Sequence, residues 1–423
     1  MAKLIEFAKT LRRHWKKSTF FFGVLAYGSS YGFDRYKTFQ MMRAYCEEAK
    51  EYGEKPLQQM SKPKHVTVIL NPEANYKKAN IQFEKFVAPL LHLAGFKVSV
   101  FQTEFSKQAG KLMEIMSNTD AVIVAGGDGT LHEVVTGLMS RSNEEEEQYP
   151  LGVVPLGKTN TVAKYLFGSK SSSSAQLMAE ATMAVIRENT VALDVLKIQY
   201  EGEEKPVFAL CQFEQGAFSD VEPLVEKYWY LGSLKDKFTY FKNAFKSKSV
   251  IENHSLEYVA PCEGCSRCKL GKQKKSIQEP GSTRWWGAFI PRSNSNKVSN
   301  PEKDWSKITN EECGDHLILK PDYLNISSST ATTGTKKDDS SGIMWIKIYP
   351  DNLSMMDFIT AGLSNRKSKL EDPKDVSQII KASELIIDSP EKEEDRFSYI
   401  DNEKYPRGSC KISILPKQVI VYG

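Results

Sequence analysis

Residues Val122–Val135 read VIVAGGDGTLHEVV, and the fold class follows from how this stretch must fold. Ala121–Val124 is a short apolar run of Val and Ile, the pattern of a buried strand. Gly126-Gly127-Asp128-Gly129 comes next, and its glycines let the backbone turn sharply and approach a ligand with no Cβ in the way. Thr130 opens a segment, Leu131–Met139, expected to be helical. Strand, glycine turn and helix start together make a cradle for an anion, because backbone N–H groups and the positive helix end face one point. Asp128 has no evident packing use in such a turn, so it is expected either to hold Mg²⁺ through water or to orient a reacting hydroxyl. GDG alone would fit an ordinary strand–helix turn, where Asp and Gly are common. The whole of GGDGT followed by His132-Glu133-Val134 favours a nucleotide site.

Outward from this stretch, strands and helices alternate. His65–Leu70, HVTVIL, is a strong strand closing on Asn71-Pro72; Ile81–Leu93 is an apolar-periodic helix; Lys97–Phe101 is a strand leading to Thr103. Ala109–Met116 reads as helix and Leu151–Val154 as strand, followed by Pro155-Leu156-Gly157. The alternation implies an α/β domain, residues 65–190, with a largely parallel sheet and helices on both faces. The strand ends carrying Asn71, Thr103, Asp128 and Gly157 would share the carboxyl edge, where such sheets bind ligands. From Val191 onward strands dominate, at Val191–Ile198, Val207–Phe213, Leu256–Val259, Ile343–Tyr349, Leu385–Asp388 and Ile412–Val421. Residues 191–423 are therefore expected to form a second, β-rich, β-sandwich-like domain. Insertions at about 263–300 and 327–341, rich in Ser, Lys, Gly and Thr, are expected to be flexible.

The chain of 423 residues has room for two domains and a full core, and a net charge of +4 argues against a dedicated nucleic-acid binder. Residues 1–34 form a segment of their own. Met1–Lys17 carries six basic residues against Glu6 alone, with Leu4, Phe7, Leu11 and Trp15 near one helical face. That pattern fits either a mitochondrial-type address or a short membrane-surface helix. Thr19–Phe33 is apolar but broken by glycines and serines, and shorter than the roughly 20 apolar residues of a full span. It is expected to be a marginal span or an interfacial anchor, with residues 35–64 a helical linker. Seven cysteines in this length do not make a disulfide scaffold. Cys262, Cys265 and Cys268 have the spacing of zinc ligands, with His254, Cys313 or His316 available as a fourth; the alternative is free or disulfide-paired cysteines in a loop. Trp285-Trp286 beside Arg284 would suit either a membrane interface or an anchor for the insertion.

GGDGT with its trailing HEV, Asn71-Pro72 upstream and Pro155-Leu156-Gly157 downstream resemble the diacylglycerol-kinase catalytic superfamily of lipid kinases. KYWYLG at Lys227–Gly232 and FSYIDNEKY at Phe397–Tyr405 sit where that superfamily carries its β-domain signatures, and the basic N-terminus, Asn71-Pro72, the glycine stretch, LDVLKI and KYWYLG together resemble the mitochondrial acylglycerol kinases. It implies a nucleotide domain and a lipid domain with the active site in a cleft between them, ATP and Mg²⁺ as cofactors, and an acylglycerol as substrate. Carried over residue by residue, Asn71, Pro72 and Thr103 match nucleotide-loop positions, Gly126, Gly127, Asp128, Gly129 and Thr130 the phosphate loop, and Glu133 the carboxylate after it. Gly157 and Asn160 match the downstream Pro-x-Gly-Thr-x-Asn-Asp motif. Lys158 stands there for the Thr, with Thr159 a substitute hydroxyl, and Thr161 stands for the Asp. Upstream, Glu73-Ala74-Asn75-Tyr76 replaces the usual Ser/Gly residues. Asp194 matches the acid that positions the acceptor hydroxyl. Glu403 matches the proposed base of an Asp-Gly-Glu signature, with Asn402 in place of Gly. Asp351 and Asp357 fall near a metal-linked Asp segment. Without the resemblance, Asp194 would be a solvated strand-end acid and Glu403 a surface acid in a charged turn.

The resemblance implies phosphorylation of monoacylglycerol and diacylglycerol to lysophosphatidic and phosphatidic acid. The implied place is the mitochondrial inner membrane, facing the intermembrane space. It also implies an alternative: an assembly subunit of the inner-membrane carrier translocase, for which the chemistry is dispensable. A sphingosine or ceramide kinase is a further alternative. A soluble NAD kinase is disfavoured by the N-terminal segment and by the IDNEKY stretch.

Overall fold

The structure, a computed structural model, describes residues 15–55, 63–141, 149–168, 171, 173–245, 255–262, 264–268, 308–319, 323–330, 342–366, 378–388 and 396–423. Residues 1–14 of the expected address, Trp285-Trp286, and most of both expected insertions lie outside them. The chain divides into two units, residues 1–191 with Ile420–Gly423, and Ala192–Val419.

The first unit is built on strands β1 (His65–Leu70), β2 (Lys97–Gln102), β3 (Ala121–Gly126) and β4 (Leu151–Pro155), in spatial order β2-β1-β3-β4. Every pair is parallel, with Val66 beside both Val98 and Ala121. The strand order reverses between β1 and β3, so the carboxyl ends of these two strands flank the crevice where such sheets take ligands. Every residue of β3 and β4 is buried, which is why both read as unbroken apolar runs. The end of the last strand lies parallel to β4, Val421 beside Leu151.

Helix α1 (Trp15–Gly53) runs without a break across the expected boundary at residue 34. Its C-terminal part is fixed to the unit: Ala49 is fully buried, the Tyr45 hydroxyl donates to Glu180 (2.6 Å), and Arg187 pairs with Glu48 at 2.8 Å. Burial and the bond to Glu180 push the Tyr45 hydroxyl up to about 12. No helix among the described residues is long and apolar enough to cross a membrane. The single helix expected over 81–93 is two, α2 (Ala79–Phe86) and α3 (Ala88–Leu93). They break at Val87, just before Pro89, whose missing N–H and fixed φ suit the start of a helix rather than its middle. Then come α4 (Gln108–Ile115), α5 (Asp128–Met139), α6 (Thr161–Phe167) and α7 (Ser174–Arg187). Helices α4 and α5 cross at Gly110 and Gly137, where a Cβ on Gly137 would stand 2.3 Å from the Gly110 carbonyl oxygen.

The second unit contains two layers of sheet. One carries β5 (Thr190–Tyr200), β6 (Val207–Ala209), β8 (Ser255–Val259), β9 (His316–Leu319), β13 (Glu384–Asp388) and β16 (Cys410–Tyr422). The other runs β12-β11-β10-β7-β14-β15, all antiparallel, from β7 (Gln212–Gly216), β10 (Tyr323–Ser329), β11 (Met344–Pro350), β12 (Gln378–Ala382), β14 (Phe397–Ile400) and β15 (Glu403–Pro406). Leu196, Leu256, Leu385 and Ile412 of the first layer share one core with Phe213, Ile326, Ile346 and Ile400 of the second, which makes the unit a sandwich. Helices α8 (Ala217–Lys227), α9 (Lys235–Ala244) and α10 (Met355–Arg366) form a second cluster, Phe218, Tyr240 and Phe358 packing with Tyr349 of β11. Residues 327–329, expected at the start of an insertion, are instead the end of β10, paired with β11 on one side and β7 on the other.

Candidate active site

The glycine turn is tighter than the sequence suggests. Strand β3 ends at Gly126 and α5 begins at Asp128, so Gly127 alone forms the turn and Asp128-Gly129-Thr130 is the helix's first turn. First-turn N–H groups have no acceptor within their own helix, and no side chain caps this one. The glycines answer to close packing. A Cβ on Gly126 would stand 2.6 Å from Thr130 Oγ1, and one on Gly157 would stand 2.2 Å from the Gly127 Cα. The turn after β3 and the loop after β4 therefore touch backbone to backbone, joined further by N–H groups of Leu156 and Gly157 donating to Gly126 O, both at 2.9 Å.

Asn71 completes the same edge. Its amide donates to Thr130 Oγ1 (3.0 Å), its N–H to Ala125 O (3.0 Å), and its Oδ1 accepts from Glu73 N–H (3.0 Å). Asn160, at φ 54°, closes its loop by exchanging bonds with Gly157, accepting at 2.9 Å and donating at 2.8 Å. Thr103 is buried at the end of β2, its N–H donating to Leu70 O. Pro72 follows Asn71, and Thr159, half-buried, lies between Lys158 and Asn160. Asn71, Gly126, Gly127, Asp128, Thr130, Gly157 and Asn160 are thus brought together.

The acids are used differently from what the sequence suggests. Asp128, 5% exposed, does have a packing use: its carboxylate accepts from Thr161 N–H (2.7 Å) and Thr161 Oγ1 (2.9 Å), fastening the start of α6. An aspartate at 161 would set a second carboxylate against Asp128; the threonine donates instead. Glu133 accepts from Lys107 N–H (2.7 Å) and Ala109 N–H (3.2 Å), capping α4.

Sequence reading missed a contact between the two departures from the superfamily pattern. Asn75, Tyr76 and Lys77 all have left-handed φ, from 51° to 65°, a conformation that costs a non-glycine residue about 1 kcal/mol or more. The Lys158 ammonium stands over the Tyr76 ring, 5.8 Å from its centroid, within cation–π range. The only signal in the sequence is that both positions depart from the motif.

In the second unit, Asp194 on β5 accepts from Gly342 N–H (2.6 Å) and Lys417 N–H (2.9 Å). Glu403 is the first residue of β15, exposed and paired with Ile400 across a two-residue turn, Asp401-Asn402. Both turn residues have positive φ, 46° and 69°, as this tightest hairpin type requires, and Asn is the natural substitute for Gly there. Asp401, not singled out from sequence, is buried and accepts from the N–H groups of Leu210, Cys211 and Gln212 at 2.7–2.9 Å. It thereby holds the hairpin that presents Glu403. Ser354 caps α10 by accepting from Asp357 N–H (3.1 Å), its hydroxyl donating to Asp357 Oδ2 (2.6 Å), and Asp351, exposed, follows β11. Among the described residues, the group of metal-ligating side chains close enough to share an ion is Cys262, Cys265, Cys268 and Cys313. There N–H donation from the Cys268 backbone leads the effects holding the Cys265 thiol down at about 6, and burial pushes Cys313 up to about 12.

Residues 65–198 match the family model described as the diacylglycerol kinase catalytic domain, and residues 210–422 match the acylglycerol kinase C-terminal model. The chain is 35% identical to a human mitochondrial acylglycerol kinase over 98% of its own length and 95% of the relative's. The corresponding Xenopus laevis protein is 36% identical, over 99% and 95%. A solved Bacillus anthracis structure, a putative diacylglycerol kinase, superposes with a TM-score of 0.53 at 19% identity, covering 86% of this chain and 98% of that one, which speaks to the fold. With a glycine turn at the sheet's switch point and family matches running through both units, the chain belongs to the acylglycerol kinase family and is an ATP-dependent lipid kinase.

Proposed function

We propose that this chain transfers the terminal phosphate of ATP to monoacylglycerol and diacylglycerol, giving lysophosphatidic and phosphatidic acid. The observation that carries the choice of acceptor is the match continuing past the nucleotide half, through residues 210–422, to the acylglycerol kinase C-terminal model. Phosphoryl transfer asks a protein for alignment, charge neutralisation and a proton acceptor rather than covalent chemistry. N–H groups at the Gly127 turn would receive the phosphates, with Asn71, Gly157 and Asn160 fixing the turn. Lys158 would add a cation to them, in place of the hydroxyl usual in the superfamily. Mg²⁺ bound with ATP would supply further charge neutralisation. Both oxygens of Asp128 are already engaged by Thr161, so its fit to the metal is through water. Asp351 and Asp357 are the other candidates for holding it, Asp357 with one oxygen spent on Ser354. Glu403 would take the proton from the glycerol hydroxyl. Asp194, holding two backbone N–H groups, would act as a positioning residue.

Two exposed aromatic surfaces support work at a lipid surface. Phe20, Tyr27, Phe33 and Phe39 lie open on α1, and Phe238 and Phe241 of α9, with Leu234 and Phe245 at its two caps, recur at helical spacing beside exposed Trp229 and Tyr230. Location at the mitochondrial inner membrane, facing the intermembrane space, belongs to this proposal, as does a second role in assembling the carrier translocase. The test is phosphate transfer from labelled ATP to monoacylglycerol, diacylglycerol, ceramide and sphingosine in mixed micelles with Mg²⁺. Acylglycerol products that vanish in Glu403→Gln are expected; transfer to sphingosine alone would overturn the acceptor assignment. A Glu403→Gln chain that still supports carrier import would separate the assembly role from the chemistry.

A further inference from the structure

We propose that Cys262, Cys265, Cys268 and Cys313 form a tetrahedral tetrathiolate zinc site that closes the base of the β8–β9 connection. The four sulfurs all lie within 4.8 Å of one another, with Cys265 to Cys268 at 3.8 Å and Cys262 to Cys268 at 4.0 Å. A zinc–sulfur bond of about 2.3 Å places the corners of a tetrahedron about 3.8 Å apart. A disulfide would hold two sulfurs at about 2.05 Å, and all four cysteines are free.

The surroundings are built for this arrangement. Strands β8 and β9 pair with Val259 beside His316, so the residues after β8 and before β9 emerge at one end of the hairpin. Three ligands come from the first side and the fourth from the other. Gly264, buried at φ 143°, turns the chain between Cys262 and Cys265 in a conformation that a side chain would strain. The two sides are laced by Ser266 N–H donating to Ile308 O (2.8 Å), Arg267 donating to Glu311 O (2.8 Å), and an Arg267–Asp315 ion pair at 3.8 Å. Two N–H donors already point at sulfur, Cys265 N–H to Cys268 Sγ (3.3 Å) and Asn310 Nδ2 to Cys262 Sγ (3.4 Å). Such donors spread the negative charge of metal-bound thiolates. Of the other ligands open on sequence grounds, His316 faces Glu257 at 3.9 Å, and His254 lies outside the described residues. Four thiolates fill the shell of zinc and leave no position for a substrate or water, so the site is structural.

The test is the metal content of the full chain, purified under reducing conditions without chelator. One zinc per chain is expected, falling to near zero in Cys265→Ser and Cys313→Ser and unchanged in Cys46→Ser. Because the serine variants could misfold, cobalt substitution of the wild-type chain supplies an independent readout: thiolate-to-cobalt charge transfer and the intense visible bands of a tetrahedral site. An octahedral cobalt spectrum would overturn the proposal. So would zinc retained equally by Cys313→Ser, or recovery of these cysteines as native disulfides. None of these outcomes bears on lipid phosphorylation, which is assayed separately.

Discussion

The bond between Asp128 and Thr161 fastens α6 to the glycine turn, and Thr161→Val tests it. Valine keeps the shape of threonine and the backbone N–H that donates to Asp128, but removes the hydroxyl bond at 2.9 Å. The acceptor is a carboxylate only 5% exposed, so water cannot readily replace the lost donor. A hydrogen bond to a charged group is worth about 1.5–3 kcal/mol. On a unit of this size that loss lowers the melting temperature by roughly 3–12 °C. Asp128→Ala removes both bonds and strands both Thr161 donors, so its cost is expected to be about twice as large. Asp128→Asn keeps an oxygen for the N–H and turns its amide toward the threonine oxygen, so it is expected to be the mildest in stability. Thermal melts of the full chain and transfer from ATP, measured on all three, separate holding from chemistry. If Asp128 acts by holding α6 against the turn, Thr161→Val loses activity together with stability. A Thr161→Val chain melting within about 1 °C of wild type would refute the reasoning. Activity lost in Asp128→Asn but retained in Thr161→Val would assign Asp128 a direct part in the chemistry.

Gly157→Ala drives a methyl group to within 2.2 Å of the Gly127 Cα, where the clash is backbone and has no side chain to yield, so a loss of about 3 kcal/mol or more is expected in urea unfolding, with ATP binding lost; wild-type affinity for ATP would contradict the close approach. Lys158→Ala is expected to raise the KM for ATP about tenfold, the equivalent of about 1.4 kcal/mol, and to weaken its salt dependence, whereas an unchanged KM would remove Lys158 from the phosphate site. Burial pushes the Cys410 thiol up to about 12, so at pH 8 it stays protonated and should resist a disulfide reagent until the chain is unfolded; immediate labelling of Cys410 in the native chain would contradict its burial.

How much of this is legible in the sequence depends on where polarity and burial agree. Strands β1, β3 and β4 are buried almost throughout, so each shows as an apolar run and the parallel sheet could be read directly. Strand β10 could not. Its sequence YLNISSS resembles a loop, yet Asn325 and Ser328 are fully buried in the middle of a sheet. Asn325 is accommodated because its oxygen accepts from Phe218 N–H (3.2 Å) and its amide donates to Glu214 (3.1 Å). Both partners are more than a hundred residues away along the chain, so no local pattern announces them. Helix α1 fails in the opposite direction. Its glycines and serines suggest interruptions, but an exposed helix tolerates each at about 1 kcal/mol or less, and the helix continues through them.

The site shows the same division between what a motif displays and what geometry does with it. Motif acids invite catalytic roles, yet Asp128, Glu133, Asp194 and Asp401 each accept a backbone N–H at a helix start, turn or strand kink. A carboxylate is the strongest acceptor a side chain offers, and helix starts are where backbone donors lack partners, so acids collect there for structural reasons. The proposed phosphate site rests on backbone N–H groups and Lys158, which a pattern of acids does not reveal. Glu403 differs from those four in its setting: it is exposed, at the start of a strand whose turn is held in place by Asp401. A proton acceptor has to be open to the hydroxyl it serves. That exposure, together with the motif, supports the proposed role of Glu403 as proton acceptor, while the backbone N–H bonds of the other four acids hold turns in position.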